Sequence, residues 1–252
     1  LAGDKLSQLA KALDLGSRLD QSLQDSELRE HCFNRAVSLV KDGDFSALSQ
    51  TKSLVSRLDH LGRTLLMEFA ARGDLAAVES LISHKIALIS KGSDGRTALH
   101  LAAASGHLAL IDPLSECCEI NSKDENNVTP LHLSAAFGSV KVTHELIERG
   151  AGVNAVASWA FSPEQTLLVT PLALAVAFGH LECAQVLLTQ PNIDLKVPVF
   201  GHLLHLAAHF GSFELLEELL KHEKIQALLN ETDDLGRTAF ATACYAGSIE
   251  IL

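Results

Sequence analysis

Aromatic residues are scarce in this 252-residue chain: they make up 5% of it, with a single Trp and a single Tyr. An interior must therefore be built from Leu, Val, Ile and Ala. Apolar residues reach 47% and the mean hydropathy is +0.19, which excludes wholesale disorder. Positive charge is also short: 20 Lys and Arg stand against 31 Asp and Glu, a formal net charge of −11. An acidic surface repels phosphate backbones and anionic lipid heads, so nucleic acid is not expected as a partner. No uninterrupted apolar run approaches the roughly 18 residues needed to span a bilayer, so no direct membrane insertion is expected. The five cysteines, Cys32, Cys117, Cys118, Cys183 and Cys244, are odd in number, scattered, and lack C-x-x-C spacing. That excludes a disulfide scaffold and a zinc site and points to the cytoplasm or another reducing compartment. Cys117-Cys118 is a vicinal pair with two readings, ordinary half-buried thiols or a redox-sensing couple.

Catalytic signatures are missing as well. There is no nucleophile elbow, P-loop, H-E-x-x-H or dinucleotide-binding glycine pattern. Asp4, Asp14 and Asp20 do not make calcium-loop spacing, and Glu214, Glu217 and Glu218 read as a solvated helix face. No catalytic residue, cofactor or metal is expected. The chain begins at Leu1 and shows no signal peptide, and it reads as a fragment of a longer polypeptide.

What is present is self-similarity. A Gly follows an Ala-rich stretch again and again: Gly73 after Phe69-Ala70-Ala71-Arg72, Gly106 after Ala102-Ala103-Ala104-Ser105, Gly138 after Ser134-Ala135-Ala136-Phe137. Gly179, Gly211 and Gly247 continue the series and Gly43 begins it more weakly; the intervals are 30, 33, 32, 41, 32 and 36. Upstream of each stand Gly95-Arg96-Thr97-Ala98-Leu99-His100, Val128-Thr129-Pro130-Leu131-His132, Thr170-Pro171-Leu172, His202-Leu203-Leu204-His205 and Gly236-Arg237-Thr238-Ala239-Phe240. Each unit explains itself physically. Thr97, Thr129, Thr170 and Thr238 stand at helix N-cap positions, where the hydroxyl accepts an orphan N–H. Pro130 and Pro171 suit the first helical position. Leu99, Ala102 and Ala103 give one apolar helical face. The Gly ends that helix, a second helix follows, as in 139–147, and 150–154 closes the unit with a turn. One such unit cannot bury its own apolar face; stacking does it.

These phased copies resemble the ankyrin repeat, whose signature is T-P-L-H-x-A on a period of 33. The resemblance covers about 30–252. It implies an all-α solenoid of stacked helix–turn–helix units with short β-hairpin-like loops, divided approximately as 26–58, 59–91, 92–123, 124–154, 155–197, 198–232 and a truncated 233–252, the first a degenerate capping repeat of two helices. Residues 1–25 are left as an N-terminal helix (Leu6, Leu9, Ala10 and Leu13, ended at Gly16) or the end of an upstream domain. The truncation implies that the native chain continues. His100, His132 and His205, in the fourth place of the motif, are then structural hydrogen bonders between adjacent units, and His107 and His180 follow the helix-ending Gly, a frequent choice in the family. His84, His144 and His222 stand near the ends of second helices, where a cation favours the dipole.

The resemblance also implies a function: a protein–protein interaction module that takes a partner protein or peptide on a concave face lined by first helices and hairpin tips. The alternative is an internal scaffold packed on other domains of a larger protein, such as an ankyrin-bearing effector, channel or enzyme. The residues just before the helix-ending Gly belong to that face: Arg72, Ser105, Phe137, Phe178, Phe210 after His209, and Tyr245. Phe137, Phe178 and Phe210 fall in consecutive units and are expected to form a ladder, either for binding or for packing on the next unit. Arg63, Arg96 and Arg237 are tip candidates, with soluble turns as the competing reading. The 41-residue interval marks an insertion between Asn154 and Thr170 carrying Trp159 and Phe161. As a loop on the binding face these aromatics are hot-spot candidates; the other reading folds them back to fill a groove. The 36-residue interval, 222–233, reads as plain loop.

Overall fold

The computed structural model describes residues 26–44, 63–86, 91–162, 165–197, 201–210 and 213–246. The expected helix in 1–25, the second helix of the 26–58 unit and the start of a second helix at 248–252 lie outside them. The chain opens with α1 (Ser26–Lys41), whose Ala36, Val37 and Val40 are buried. Helix pairs follow: α2 (Leu65–Arg72) with α3 (Leu75–Ser83), α4 (Ala98–Ala104) with α5 (Ile111–Cys117) after a short 3₁₀ turn (Leu108–Leu110), and α6 (Pro130–Ala136) with α7 (Val140–Glu148). A hairpin of β1 (Ala157–Ser162) and β2 (Gln165–Val169) precedes α8 (Pro171–Ala177) and α9 (Leu181–Leu188). Two-residue strands β3 (Lys196–Val197) and β4 (Gly201–His202) lead to α10 (Leu203–Phe210) and α11 (Phe213–Leu219), then α12 (Glu223–Gln226) and α13 (Ala239–Ala246).

Packing runs along the chain. The first helices form one row, α2 on α4 on α6 on α8 on α10 on α13, and the second helices another, α3 on α5 on α7 on α9 on α11. The same sequence position supplies the glue each time: Leu66, Leu99, Leu131, Leu172 and Leu204 are all buried, each contributing about 1.5–3 kcal/mol of transfer free energy. Ala70, Ala103, Ala135 and Ala208 are equally buried, and their small size lets successive first helices approach.

The Thr-x-x-His spacing is a capping box with an imidazole in place of the carboxylate. Thr97 and Thr129 are N-caps, and His100 and His132 occupy the third helical position. The Thr97 N–H donates to His100 Nδ1 at 3.1 Å, and the Thr129 N–H to His132 Nδ1 at 3.2 Å. Each ring's far nitrogen then donates to the next unit: His100 Nε2 to the Val128 carbonyl at 2.9 Å, His132 Nε2 to Val169 at 3.4 Å, His205 Nε2 to Arg237 at 2.9 Å. Where His202 replaces the capping Thr, the Nδ1 atoms of His202 and His205 are buried without a hydrogen-bond partner. The helix-ending glycines make a second link. Gly73 and Gly138 take φ of +76° and +70°, and the next unit's imidazole lies against each. His107 Nε2 donates to the Ala71 carbonyl at 3.1 Å and His180 Nε2 to Ala136 at 2.9 Å.

Two expectations need correction. The insertion is an ordered antiparallel hairpin, not a loop, with Ala157 opposite Val169 and Trp159 opposite Leu167. Its alternation is that of a half-buried ribbon: Ala157, Leu167 and Val169 are buried, while Ala160, Thr166 and Leu168 are exposed. The 222–233 connection is not plain loop either, because α12 lies within it and buries Ile225 completely.

Candidate functional site

The residues before each helix-ending Gly sit at the C-terminal ends of the first helices. Phe137 and Phe178 are the C-caps of α6 and α8, and Phe210 ends α10. Phe137 is 59% exposed and Phe178 44%, while Phe210 is half-buried. Among the described residues no ring contact joins Phe137, Phe178 and Phe210 directly. Phe161 of the hairpin lies between two of its members, with ring centroids 5.7 Å from Phe178 and 5.1 Å from Phe210. Trp159 meets Phe178 edge-on at 6.1 Å. Both rings come from β1, Phe161 at the point between Ala160 and Ser162 where the pairing register shifts, and the hairpin lays them over the ends of α8 and α10. Aromatic pairs of this geometry contribute about 0.5–1.5 kcal/mol beyond their buried area. Phe137 makes no ring contact among the described residues. The result is one aromatic patch from β1, α8 and α10, with Phe137 standing alone one unit away.

His209 is half-buried and meets Phe210 edge-on at 5.1 Å; burial pushes its pKa down, and the positive charge of Arg237 pushes the same way. Ser105 is exposed at the end of α4. Tyr245 is 80% exposed, with the Arg237 guanidinium 5.6 Å from its ring centroid.

The arginine candidates are held within the chain. Arg63 pairs with Glu68 at 2.9 Å, and Arg72 pairs with the same buried carboxylate. Arg96 reaches Asp124 of the next unit at 3.3 Å and Asp94 at 3.4 Å. Arg237 pairs with Asp233 at 2.7 Å. The two aspartates also organise their turns: Asp124 Oδ1 accepts the N–H groups of Asn126 at 2.8 Å and Val128 at 2.9 Å, and Asp233 Oδ1 those of Leu235 at 2.9 Å and Arg237 at 2.8 Å. Burial raises the Asp233 carboxyl, but the guanidinium and backbone N–H of Arg237 and the N–H of Leu235 outweigh it and hold the pKa below its usual value. Sequence reasoning picked out the arginines and missed Glu68, Asp124 and Asp233, the acids that fix them. The signal was available in Asp233, three residues ahead of the turn glycine Gly236.

The buried His100 and His132 are committed to hydrogen bonds in their neutral form. Burial lowers the pKa of His100, and that of His132 to about 4, against the opposing pull of their carbonyl partners. Among the described residues no cluster of three or more His, Cys, Asp or Glu is placed to hold a metal ion, and no helix is long and apolar enough to cross a membrane.

Comparison with known proteins places this geometry. A family model for ankyrin repeats in three copies matches residues 36–124 and 106–199, and one for ankyrin repeats in many copies matches 204–252. A transient receptor potential cation channel subfamily A member 1 homolog of Caenorhabditis elegans is 28% identical over 200 residues. That stretch is 77% of this chain and 15% of the relative, so the chain spans a small part of that relative's length.

Proposed function

Since this chain belongs to the ankyrin repeat family, we propose that it acts by binding rather than by turnover, as a module that holds a partner protein or peptide on the concave strip and the hairpin tips. The observation that carries this reading is the exposure of Phe137 at 59% and Phe178 at 44% at the same place in consecutive units. Phe178 belongs to the packed aromatic cluster yet stays partly exposed, and Phe137 stands clear of the cluster one unit away. Exposed aromatics next to a rigid, pre-packed surface are the residues that dominate interface energetics. A preformed array also spends little on reorganisation when it binds. The fixed tip arginines serve as positioned rim charges, and the net charge of −11 argues for a partner that is not a nucleic acid. The scattered cysteines support a cytoplasmic or other reducing compartment.

The test is affinity capture with the chain as bait. Replacing Phe137 and Phe178 by Ala is expected to weaken the captured complex by tenfold or more, about 1.4 kcal/mol or above, with far-UV helicity unchanged. Undiminished capture by the double variant removes the strip from the binding site.

The second reading is an internal scaffold, and one observation favours it: the relative's matching stretch is 15% of a cation channel chain. In that case the strip is covered by another part of the same polypeptide. Amide exchange of α8 and α10 in the longer protein, measured without any added partner, would then be slower than in this chain alone.

A further inference from the structure

We propose that Cys117 and Cys118 form a two-thiol site for a soft, thiophilic acceptor of the trivalent arsenical class. The two sulfurs lie 3.9 Å apart at the end of α5. The backbone brings them together: Cys117 closes the helix, and Cys118 leaves it at φ −118°, ψ 137° while its N–H still donates to the Leu114 carbonyl at 2.7 Å. Cys117 is half-buried and its thiol donates to the Leu114 carbonyl at 3.5 Å. Cys118 is buried. One sulfur therefore opens to solvent and the other backs it from within.

The electrostatics divide the labour in the same direction. A hydrogen bond from Cys118 pushes the Cys117 pKa down, against the effect of burial. The same contact, with burial, pushes Cys118 up. Cys117 is the readier of the two to lose its proton and attack, and Cys118 is the second thiol. A direct disulfide fits badly. Adjacent α-carbons across a trans peptide are about 3.8 Å apart, closer than the roughly 4.4 Å minimum of unstrained disulfides. A bridging centre leaves the sulfurs unbonded to each other and escapes that strain, and thiolates are the ligands that soft centres select. Neither Cys183 nor Cys244 offers such a pair. Cys183 is buried against Thr143, and Cys244 is exposed with no described thiol partner.

With phenylarsine oxide as the probe the step balances without an oxidant. Each S–H gives up its proton, two As–S bonds form, and the arsenic-bound oxygen leaves as water, the arsenic staying trivalent. The second bond is intramolecular, so the chelate should hold some 10²–10⁴ times more tightly than a single thiol.

The reduced 252-residue chain is incubated with phenylarsine oxide under native conditions, challenged with excess monothiol, and weighed intact. One adduct per chain that survives the monothiol and is released by a dithiol is expected. Cys117→Ser and Cys118→Ser should each lower the apparent affinity by 10²–10⁴, and Cys244→Ser should leave it unchanged. Since Cys118 is buried, Cys117→Ala on the half-exposed partner repeats the test with the fold checked by far-UV circular dichroism. A monothiol-resistant adduct on either Cys117 variant, or none on the native chain, overturns the proposal. So does a Cys117–Cys118 disulfide that forms with hydrogen peroxide and resists the same monothiol.

Discussion

In two units, at His100 and His132, one imidazole does two jobs that need opposite nitrogens. His132 Nδ1 accepts from its own helix cap, and Nε2 donates to the following unit. Only one neutral tautomer satisfies both, so a proton added at Nδ1 breaks the cap. Burial, the largest influence, lowers the His132 pKa from 6.5 to about 4. The unfolded chain therefore binds this proton first. Across the window from about pH 6.5 down to 4, stability falls with falling pH, and the full linkage amounts to roughly 3 kcal/mol. Urea midpoints measured through that window should slope upward with pH, and His132→Gln should flatten the slope; equal slopes would show that His132 is not the titrating group. This chemistry was legible in the sequence, because Thr129 and His132 are three residues apart and capping is local. The arginine clasps were less so. Arg96 finds Asp124 from 28 positions away, and nothing in either residue's own neighbourhood names the other.

At the scale of elements, the insertion shows where reading a sequence stops. The 41-residue interval located it, and apolar residues at 157, 159, 161, 167 and 169 carried the period of two that marks a strand. What the sequence lacked was the surface against which that face packs. It is made by Phe178 and Phe210 from the ends of two helices in two different units, and only the stack brings those ends together. The reading in which Trp159 and Phe161 fold back on a groove agrees with this geometry, since both rings are half-buried. The groove is aromatic because the hairpin itself supplies the ring between Phe178 and Phe210. Trp159 is the sole tryptophan, so its emission reports directly on hairpin docking. Removing the central ring with Phe161→Ala should shift that emission to longer wavelength while far-UV helicity stays constant, at a cost of about 2–3 kcal/mol for a partly buried aromatic. Unchanged emission would mean that the hairpin holds its place without Phe161. Position 225 makes the same point in smaller form. The apolar set Ile225, Leu228 and Leu229 spans little more than one turn and so carries little periodic signal, yet Ile225 is fully buried.

At the scale of the whole molecule, the decisive property is that, among the described residues, first helices pack on one another in sequence order. Stability is then a sum of unit and interface terms rather than of one shared core. Damage at one interface should stay near that interface. Gly138 offers the cleanest place to inflict it. Its φ of +70° costs an L-residue about 1–2 kcal/mol. A Cβ added there would also stand 2.6 Å from the Nδ1 of His180. The ring must shift, and the His180 bond to the Ala136 carbonyl, now 2.9 Å, is lost with it. Gly138→Ala therefore strikes the junction between the α6–α7 pair and the α8–α9 pair twice, once through backbone strain and once through a severed link. Hydrogen exchange should show α6 to α9 losing protection while α2 and α3 keep theirs. If protection instead fell evenly across all pairs, the array would be unfolding as one cooperative body. An interaction surface spread over several units, as proposed for Phe137, Phe178 and the hairpin, would then be coupled to every distant substitution in the chain.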